Sequence, residues 1–406
     1  MTSGPDLLAT PNLGTGMLEH RDRIDFNALR EERKQRVVSA MAEHGLDACL
    51  FGREANARYV SGVRRLWTAQ TRPFVPACVV VADRGGSTGT RARVELLSFS
   101  ASYEDIPEGI GPDSFFPVTW NPMQLMARFR QIPGFLDSRR IGVDGLTPLF
   151  EGLLRSLLPN AEFVGVENTM RAVRRRKLPG EIVCLRTAAA VAEAALYAAA
   201  REIRPGVPER HLQAAFLERM CALGTSQFAR QGTFTVVDPG AALRWTTSGR
   251  ALDEGSLVAL AGGVLWAGYE GSLARTWWCG RQGGPTGEQR ALFSRWRDLT
   301  AAVREQCRPG RTGADVRAAY EGSGEPAPAM SIAYFVGLGH EGPLAGPGMS
   351  RALEAAQVLE ADTVVAVRAF VSGSGGGFLG EDMVLVTDAG PELLTTLGHG
   401  PLAREA

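Results

Sequence analysis

The chain has 406 residues, of which 45% are hydrophobic and 22% charged, the proportions of a globular protein long enough for more than one core. Its 44 basic and 44 acidic residues cancel, which removes the bulk electrostatic case for a nucleic-acid or anionic-membrane partner.

Residues 1–20 are rich in Gly, Pro and Thr and lack both a basic start and a continuous apolar stretch. They read as a flexible leader rather than a signal peptide. ALREERKQRVVSAMAEHG then sets Leu29, Val37, Val38 and Met41 on one helical face, with Gly45 as its stop. LDACLF reads as a buried strand, and NARYVSGV as a turn with a short helix or strand. PACVVVAD and VELLSF are further strands. RIGVDG is a strand before another helix, and EFVGVEN closes the unit. Strands alternating with helices predict an α/β domain over residues 21–165.

The second domain is expected over 166–406. It opens on the basic stretch VENTMRAVRRRKL, a solvated face. A long Ala-rich helix follows, with Pro179 at its start, Glu181 in its first turn and a PG stop. Glu209 begins a second helix that runs to about Leu223, and another runs from Glu288 to about Cys307. TFTVV, SLVALAGGVLWAGYEG, DTVVAVRAFV and EDMVLVTD read as strands, and SGSGGGF (372–378) as a hairpin turn without the Lys of a phosphate loop. The six cysteines show no CxxC spacing and read as reduced thiols of a cytosolic protein. No continuous apolar run suggests a membrane span, so a cytoplasmic location is expected.

Six segments, in order, resemble the pita-bread superfamily of creatinase, aminopeptidase P and methionine aminopeptidase. They are GLDACLFGREANARYVSGV (45–63), RRKLPGEIVCLRTAAAVAEAAL, REIRPGVPERHL, ALDEGSLVALAGGVLWAGYEGSLARTWWCG (251–280), VGLGHEGP and FLGEDMVLVTDAGPELLTTL. The resemblance implies an α+β chain: a pita-bread C-terminal domain preceded by a smaller α/β creatinase-type N-terminal domain. It also implies a homodimer, in which Arg53, Asn56, Arg64, Arg65 or Trp67 would reach the neighbouring subunit's site.

Metal-dependent members of that superfamily hold two divalent ions with two Asp, one His and two Glu. The matching positions here are Ala261, Ser272, Tyr334, Arg368 and Glu381. One carboxylate beside an arginine does not supply the hard ligands of such ions, so no metal and no cofactor are expected. The metal-free members, creatinase and ectoine hydrolase, cleave C–N bonds with His and Glu side chains. The creatinase Glu, however, aligns with Ala274, and its His aligns near Arg244 or Trp245.

The residues expected to carry chemistry are His340, since an unperturbed imidazole has a pKa near neutrality, Glu270, Glu381 and Tyr334. Arg368 is expected to pair with Glu381, and Arg368 with Arg244 to clamp a carboxylate. Trp245, Ser272 and Glu341 complete the expected substrate contacts, and Trp266, Trp277 and Trp278 offer an apolar wall. Three readings follow. One is a metal-independent enzyme performing C–N hydrolysis or a lyase reaction on a small amino-acid-like or carboxylated molecule. Another is an inactive pseudopeptidase that binds a ligand or protein. The third is a divergent Xaa-Pro-type metallopeptidase, with ligands drawn from Asp238, Glu270, His340 or Asp382.

Overall fold

The computed structural model describes residues 23–63, 76–83, 91–99, 110–117, 121–225, 227–326 and 328–400. The expected leader, and Arg64, Arg65 and Trp67, lie outside them. The described chain divides into two compact units, one formed by Ile24–Arg174 and the other by the chain from Arg175 onward.

The first unit begins with α1 (Phe26–Glu43), whose Asp25 side chain accepts the N–H groups of Asn27 and Ala28 at 2.9 Å, so the helix opens where two unpaired donors are satisfied. Leu29, Val37, Val38 and Met41 are buried, the face its periodicity gives. β1 (Ala48–Phe51) leads into α2 (Glu54–Ser61), which resolves NARYVSGV as a helix; it stops at Gly62, whose φ of 72° a side chain would resist. β2 (Cys78–Asp83), β3 (Arg91–Phe99), β4 (Phe115–Pro117), β5 (Arg140–Val143) and β6 (Glu162–Gly165) complete a sheet of order β4-β3-β2-β1-β5-β6. Helices α3 (Pro122–Gln131) and α4 (Pro148–Leu157) each carry Pro in the first turn behind an Asn121 or Thr147 cap, and they bury Phe129 and Leu154 with Leu50, Val79 and Ile141. Asp144, at the end of β5, accepts Gly52 N, Arg53 N and Asn56 Nδ2 at 2.7, 3.1 and 2.8 Å. Helix α5 (Glu167–Arg175) belongs here by its contacts through Arg174, whereas the sequence placed it after a boundary at residue 165.

The second unit opens with α6 (Pro179–Arg201). Glu181 reaches back to accept Leu178 N at 2.9 Å, closing the first turn. Among the described residues this helix alone has the length and hydropathy to cross a membrane. However, 61% of its apolar window is buried, against α7 (Glu209–Ala222), β8 (Leu257–Trp266) and β9 (Tyr269–Trp278). The approach is close because Gly271 has no side chain: a Cβ there would lie 2.1 Å from the Ala188 carbonyl oxygen.

β7 (Phe228–Val236), β8 and β9 form a meander, with β8 and β9 joined by a two-residue turn whose Ala267 and Gly268 both have positive φ (49° and 83°). After α8 (Gly287–Glu305) and α9 (Gly313–Gly322) come β10 (Ala333–Gly337), β11 (Gly339–Ala345), the short α10 (Arg351–Ala355), β12 (Val364–Gly373), β13 (Gly376–Thr387) and β14 (Gly390–Leu393). The sheet order is β11-β10-β12-β13-β9-β8-β7, with β14 also paired to β13. SGSGGGF is the β12–β13 turn, as expected. Trp296, Leu299 and Val303 of α8 pack on Val365, Val367, Phe378 and Val384, so one face of the sheet is core.

Candidate functional site

Residues of alternating strand positions build the site in the middle of the larger sheet. β12 and β13 set Arg368 directly opposite Glu381, and β9 sets Ala274 on the other side of Glu381. Glu381 is fully buried. Arg230, from β7, grips it with two parallel bonds: Nη2 to Oε1 at 2.7 Å and Nη1 to Oε2 at 2.9 Å. Arg368 donates to Oε2 through Nε. Burial by itself would raise the Glu381 carboxyl, but the two guanidinium charges outweigh it and hold it at about 2. Arg230 is in turn pushed up, burial opposing and Glu381 prevailing.

Tyr334, on β10, links this triad to Glu270. Its hydroxyl lies 3.2 Å from Oε1 of Glu270 and 3.2 Å from Oε1 of Glu381, a single donor shared by two carboxyl oxygens. Burial first, and then the two carboxyl neighbours, push the phenol up, so it stays a donor. Ser272 donates to the same Glu270 oxygen at 2.6 Å. The strand order places β10 between β11 and β12, and the His340 ring from β11 stacks on Tyr334 (centroids 4.7 Å apart, planes at 21°). The Arg368 guanidinium lies 5.5 Å from the same ring. Burial lowers the His340 pKa, with Glu270 opposing, so its imidazole is neutral at neutral pH and free to take a proton.

The groups divide into saturated and open ones. Glu381 is saturated by Arg230, Arg368 and the Tyr334 hydroxyl, and Ser272 by Oε1 of Glu270. Oε2 of Glu270 and both Nη atoms of Arg368 make no hydrogen bond to the described residues. Trp245, 45% exposed, holds its ring 6.0 Å from the Arg368 Cζ.

Sequence reasoning thus brought His340, Glu270, Glu381, Tyr334, Ser272, Arg368 and Trp245 together, and the Arg368–Glu381 pair is present. Four expectations are corrected. Glu381 was expected as an acid–base group; at about 2, with both oxygens engaged by arginines, it is an anchor and a very weak base. Arg244 does not clamp beside Arg368: it pairs with the buried Glu209 and donates to the Thr246 carbonyl at 2.8 Å. Glu341 is not a substrate contact but the partner of Lys177, at 2.6 Å and with both side chains buried. Trp266 and Trp277 are buried at 1% and 7% exposure, and Trp278 packs on the α8 core, so they are core rather than a pocket wall.

Arg230 was missed. The strand TFTVV was placed from Thr233, but β7 starts at Phe228 and its pairing with β8 shifts register on both sides of Arg230. A bulged strand breaks the alternation that would have shown which face Arg230 takes.

The donor set does not fit a pair of divalent ions. Ala261 fills one ligand place with a methyl group packed with Leu243 and Leu379, and Ser272, Tyr334 and Arg368 fill three more without a carboxylate or imidazole. The remaining carboxylate, Glu381, is neutralised by arginines. Asp238 is paired with Arg250 and Asp382 with Arg275, at 2.7 Å each. Among the described residues no group of three or more His, Cys, Asp or Glu is placed to hold an ion.

Residues 183–388, just over half of the chain, match the family pattern described as metallopeptidase family M24, and residues 33–176 match the creatinase/prolidase N-terminal domain. An Xaa-Pro dipeptidase of Pyrococcus horikoshii is 23% identical over 382 residues, spanning 90% of this chain and 97% of that protein. A creatinase of a Bacillus species is 25% identical over 256 residues, 60% of this chain and 59% of that protein. The solved Xaa-Pro dipeptidase of Bacillus anthracis superposes with a TM-score of 0.70 at 21% identity, covering 90% of this chain and 98% of that one.

Proposed function

We propose that this chain, which belongs to metallopeptidase family M24, is a metal-independent enzyme acting on a small amino-acid-like or carboxylated molecule. Its fold is that of the family, a creatinase-type N-terminal domain followed by a pita-bread domain of mixed helix and sheet.

The observation that carries the reading is the convergence of unused capacity around Tyr334. A neutral His340 ring, the free Oε2 of Glu270 and the free Nη edge of Arg368 surround one phenol. Arg368 holds the anionic end of the substrate by its fork of N–H donors, with Trp245 alongside. His340 takes a proton from water or from the substrate, and Glu270 holds the resulting imidazolium by charge before the proton passes to the leaving nitrogen. C–N hydrolysis and a lyase-type elimination both need this set. A creatinase among the relatives is consistent with small-molecule chemistry on this fold. The same reading has the protein work in the cytoplasm as a homodimer, without nucleic-acid or membrane partners.

One observation favours a second reading, a ligand-binding pseudopeptidase: the floor of the site is internally saturated, as in a site that has stopped turning over.

The test is elemental mass spectrometry of the purified protein before and after soaking in manganese, cobalt and zinc, followed by a thermal-shift screen of small carboxylated amides and amidines with product analysis of each binder. No metal, with stabilisation by a ligand that is consumed and that Arg368→Ala abolishes, is the expected result. Binding without consumption moves the assignment to the pseudopeptidase. Stoichiometric metal overturns both and restores a divergent Xaa-Pro-type metallopeptidase.

A further inference from the structure

His340 stands on the tip of a hairpin, and a hairpin tip does not by itself hold an imidazole flat against a neighbouring ring. Gly337 pairs with Gly339, so Leu338 alone makes the turn, and the pairing of β10 with β11 slips between Phe335 and Val336. Gly339 has a φ of 78°. A bulged, glycine-rich tip of this kind has few restraints of its own.

The restraint comes from the next residue. The Glu341 carboxylate turns back under the tip: Oε1 accepts Leu338 N at 3.3 Å, and Oε2 accepts the Lys177 ammonium at 2.6 Å. A Cβ on Gly337 would lie 2.3 Å from Glu341 Oε1, so the tip has closed on the carboxylate as far as sterics allow. The side chains of Lys177 and Glu341 are 1% and 3% exposed, and a pair so shielded from water has a fixed geometry that an exposed pair lacks. Lys177 is fixed at its other end too. Its backbone N–H donates to the Asp362 carbonyl at 2.8 Å, and Asp362, with a φ of 65°, is the turn that feeds β12 and hence Arg368. Two residues earlier, the Arg175 guanidinium lies 4.4 Å from the Phe335 ring and donates to Gln357 Oε1 at 2.9 Å. The segment 175–177 therefore ties together the two strands, β11 and β12, that flank Tyr334.

We propose that Lys177 is the positioning residue of the site: through Glu341 it pins the β10–β11 tip so that the His340 ring lies against Tyr334. This deepens, and rests on, the reading of His340 as the proton carrier. Lys177 is one of only two lysines in a chain whose basic residues are otherwise Arg. The choice has a physical reason, because a compact ammonium enters a buried space beside a carboxylate where a planar guanidinium would need a wider slot.

The test reads ring position directly and needs no substrate. With 13C-labelled histidine, the Cε1–H resonance of His340 is identified among the five histidines by its loss in His340→Gln. In the native protein it is expected upfield, shifted by the stacked Tyr334 ring. Lys177→Met is expected to move it to the ordinary histidine position while the other histidines stay in place. Because that variant leaves Glu341 buried without its cation and is at risk of not folding, the double variant Lys177→Met/Glu341→Met is measured alongside. It removes both charges and keeps the volume, so it is expected to fold with near-native melting behaviour and still to show the displaced His340 resonance. A native upfield resonance in either folded variant overturns the proposal and leaves the pair a purely structural one. Loss of turnover in His340→Gln tests the proton-carrier reading separately, so the two fail by different results.

Discussion

Replacing Arg230 by methionine tests the charge logic of the site, because this residue neutralises Glu381 from a strand that carries no family landmark. The folded protein holds the Glu381 carboxyl at about 2 against 4.5 for a free glutamate. At about 1.4 kcal/mol per tenfold change in proton affinity, that difference corresponds to about 3 kcal/mol in favour of the charged form. Arg230 supplies two of the three arginine hydrogen bonds to this carboxylate and Arg368 the third. Arg230→Met leaves a fully buried carboxylate with one cation, and removing one partner of a buried pair costs about 3–5 kcal/mol. Glu381→Gln leaves the two guanidiniums uncompensated and is expected to cost about as much. In the double variant the missing charges match, so its cost is expected to fall at least about 2 kcal/mol short of the sum.

The assay is urea denaturation near neutral pH and again under acid conditions. Since the folded carboxyl lies below its unfolded value, its stabilisation is complete above about pH 4.5 and is lost as the pH falls towards about 2. The difference between native protein and Glu381→Gln should therefore shrink over that window. Costs of the two single substitutions that add within about 0.5 kcal/mol, or a difference independent of pH, would refute the argument that the arginines act through this carboxylate.

Three further outcomes rest on local geometry. Tyr334→Phe removes the one donor shared by Glu270 and Glu381, leaving the Glu381 end to the arginines and the Glu270 end to Ser272. A loss of about 1–3 kcal/mol in denaturant stability is expected, and an unchanged midpoint would mean the bridge carries nothing. Gly271→Ala drives a methyl into the backbone of α6 at Ala188 and should lower the melting temperature markedly, an overpacking cost of about 1–3 kcal/mol or more. Gly152→Ala, in helix α4 with open space around it, should instead raise the melting temperature slightly, a gain in stability of about 0.5–1 kcal/mol.

What the sequence by itself determined is the part of the protein written in short-range patterns. The stop of α1, the start and stop of α6 and the buried face Leu29–Val37–Met41 follow from local periodicity and turn chemistry, whereas SLVALAGGVLWAGYEG, which reads as one strand, is split into β8 and β9 by the turn at Ala267–Gly268. The substitution pattern at Ala261, Ser272, Tyr334, Arg368 and Glu381 was also legible, because residue identity is a sequence property. The strands β10 and β11 were not legible as strands, since their glycines and the turn at Leu338 hide the alternation. Partner choice was decided only in three dimensions. Arg230 lies in β7 and Arg244 in the loop after it, yet Arg244 is taken by Glu209 while Arg230 crosses to Glu381. Glu341 adjoins His340 in sequence but turns away to Lys177, 164 positions distant. Charged side chains pair by distance and burial, which chain spacing does not encode, so the sequence named the chemical groups and the tertiary structure assigned their partners.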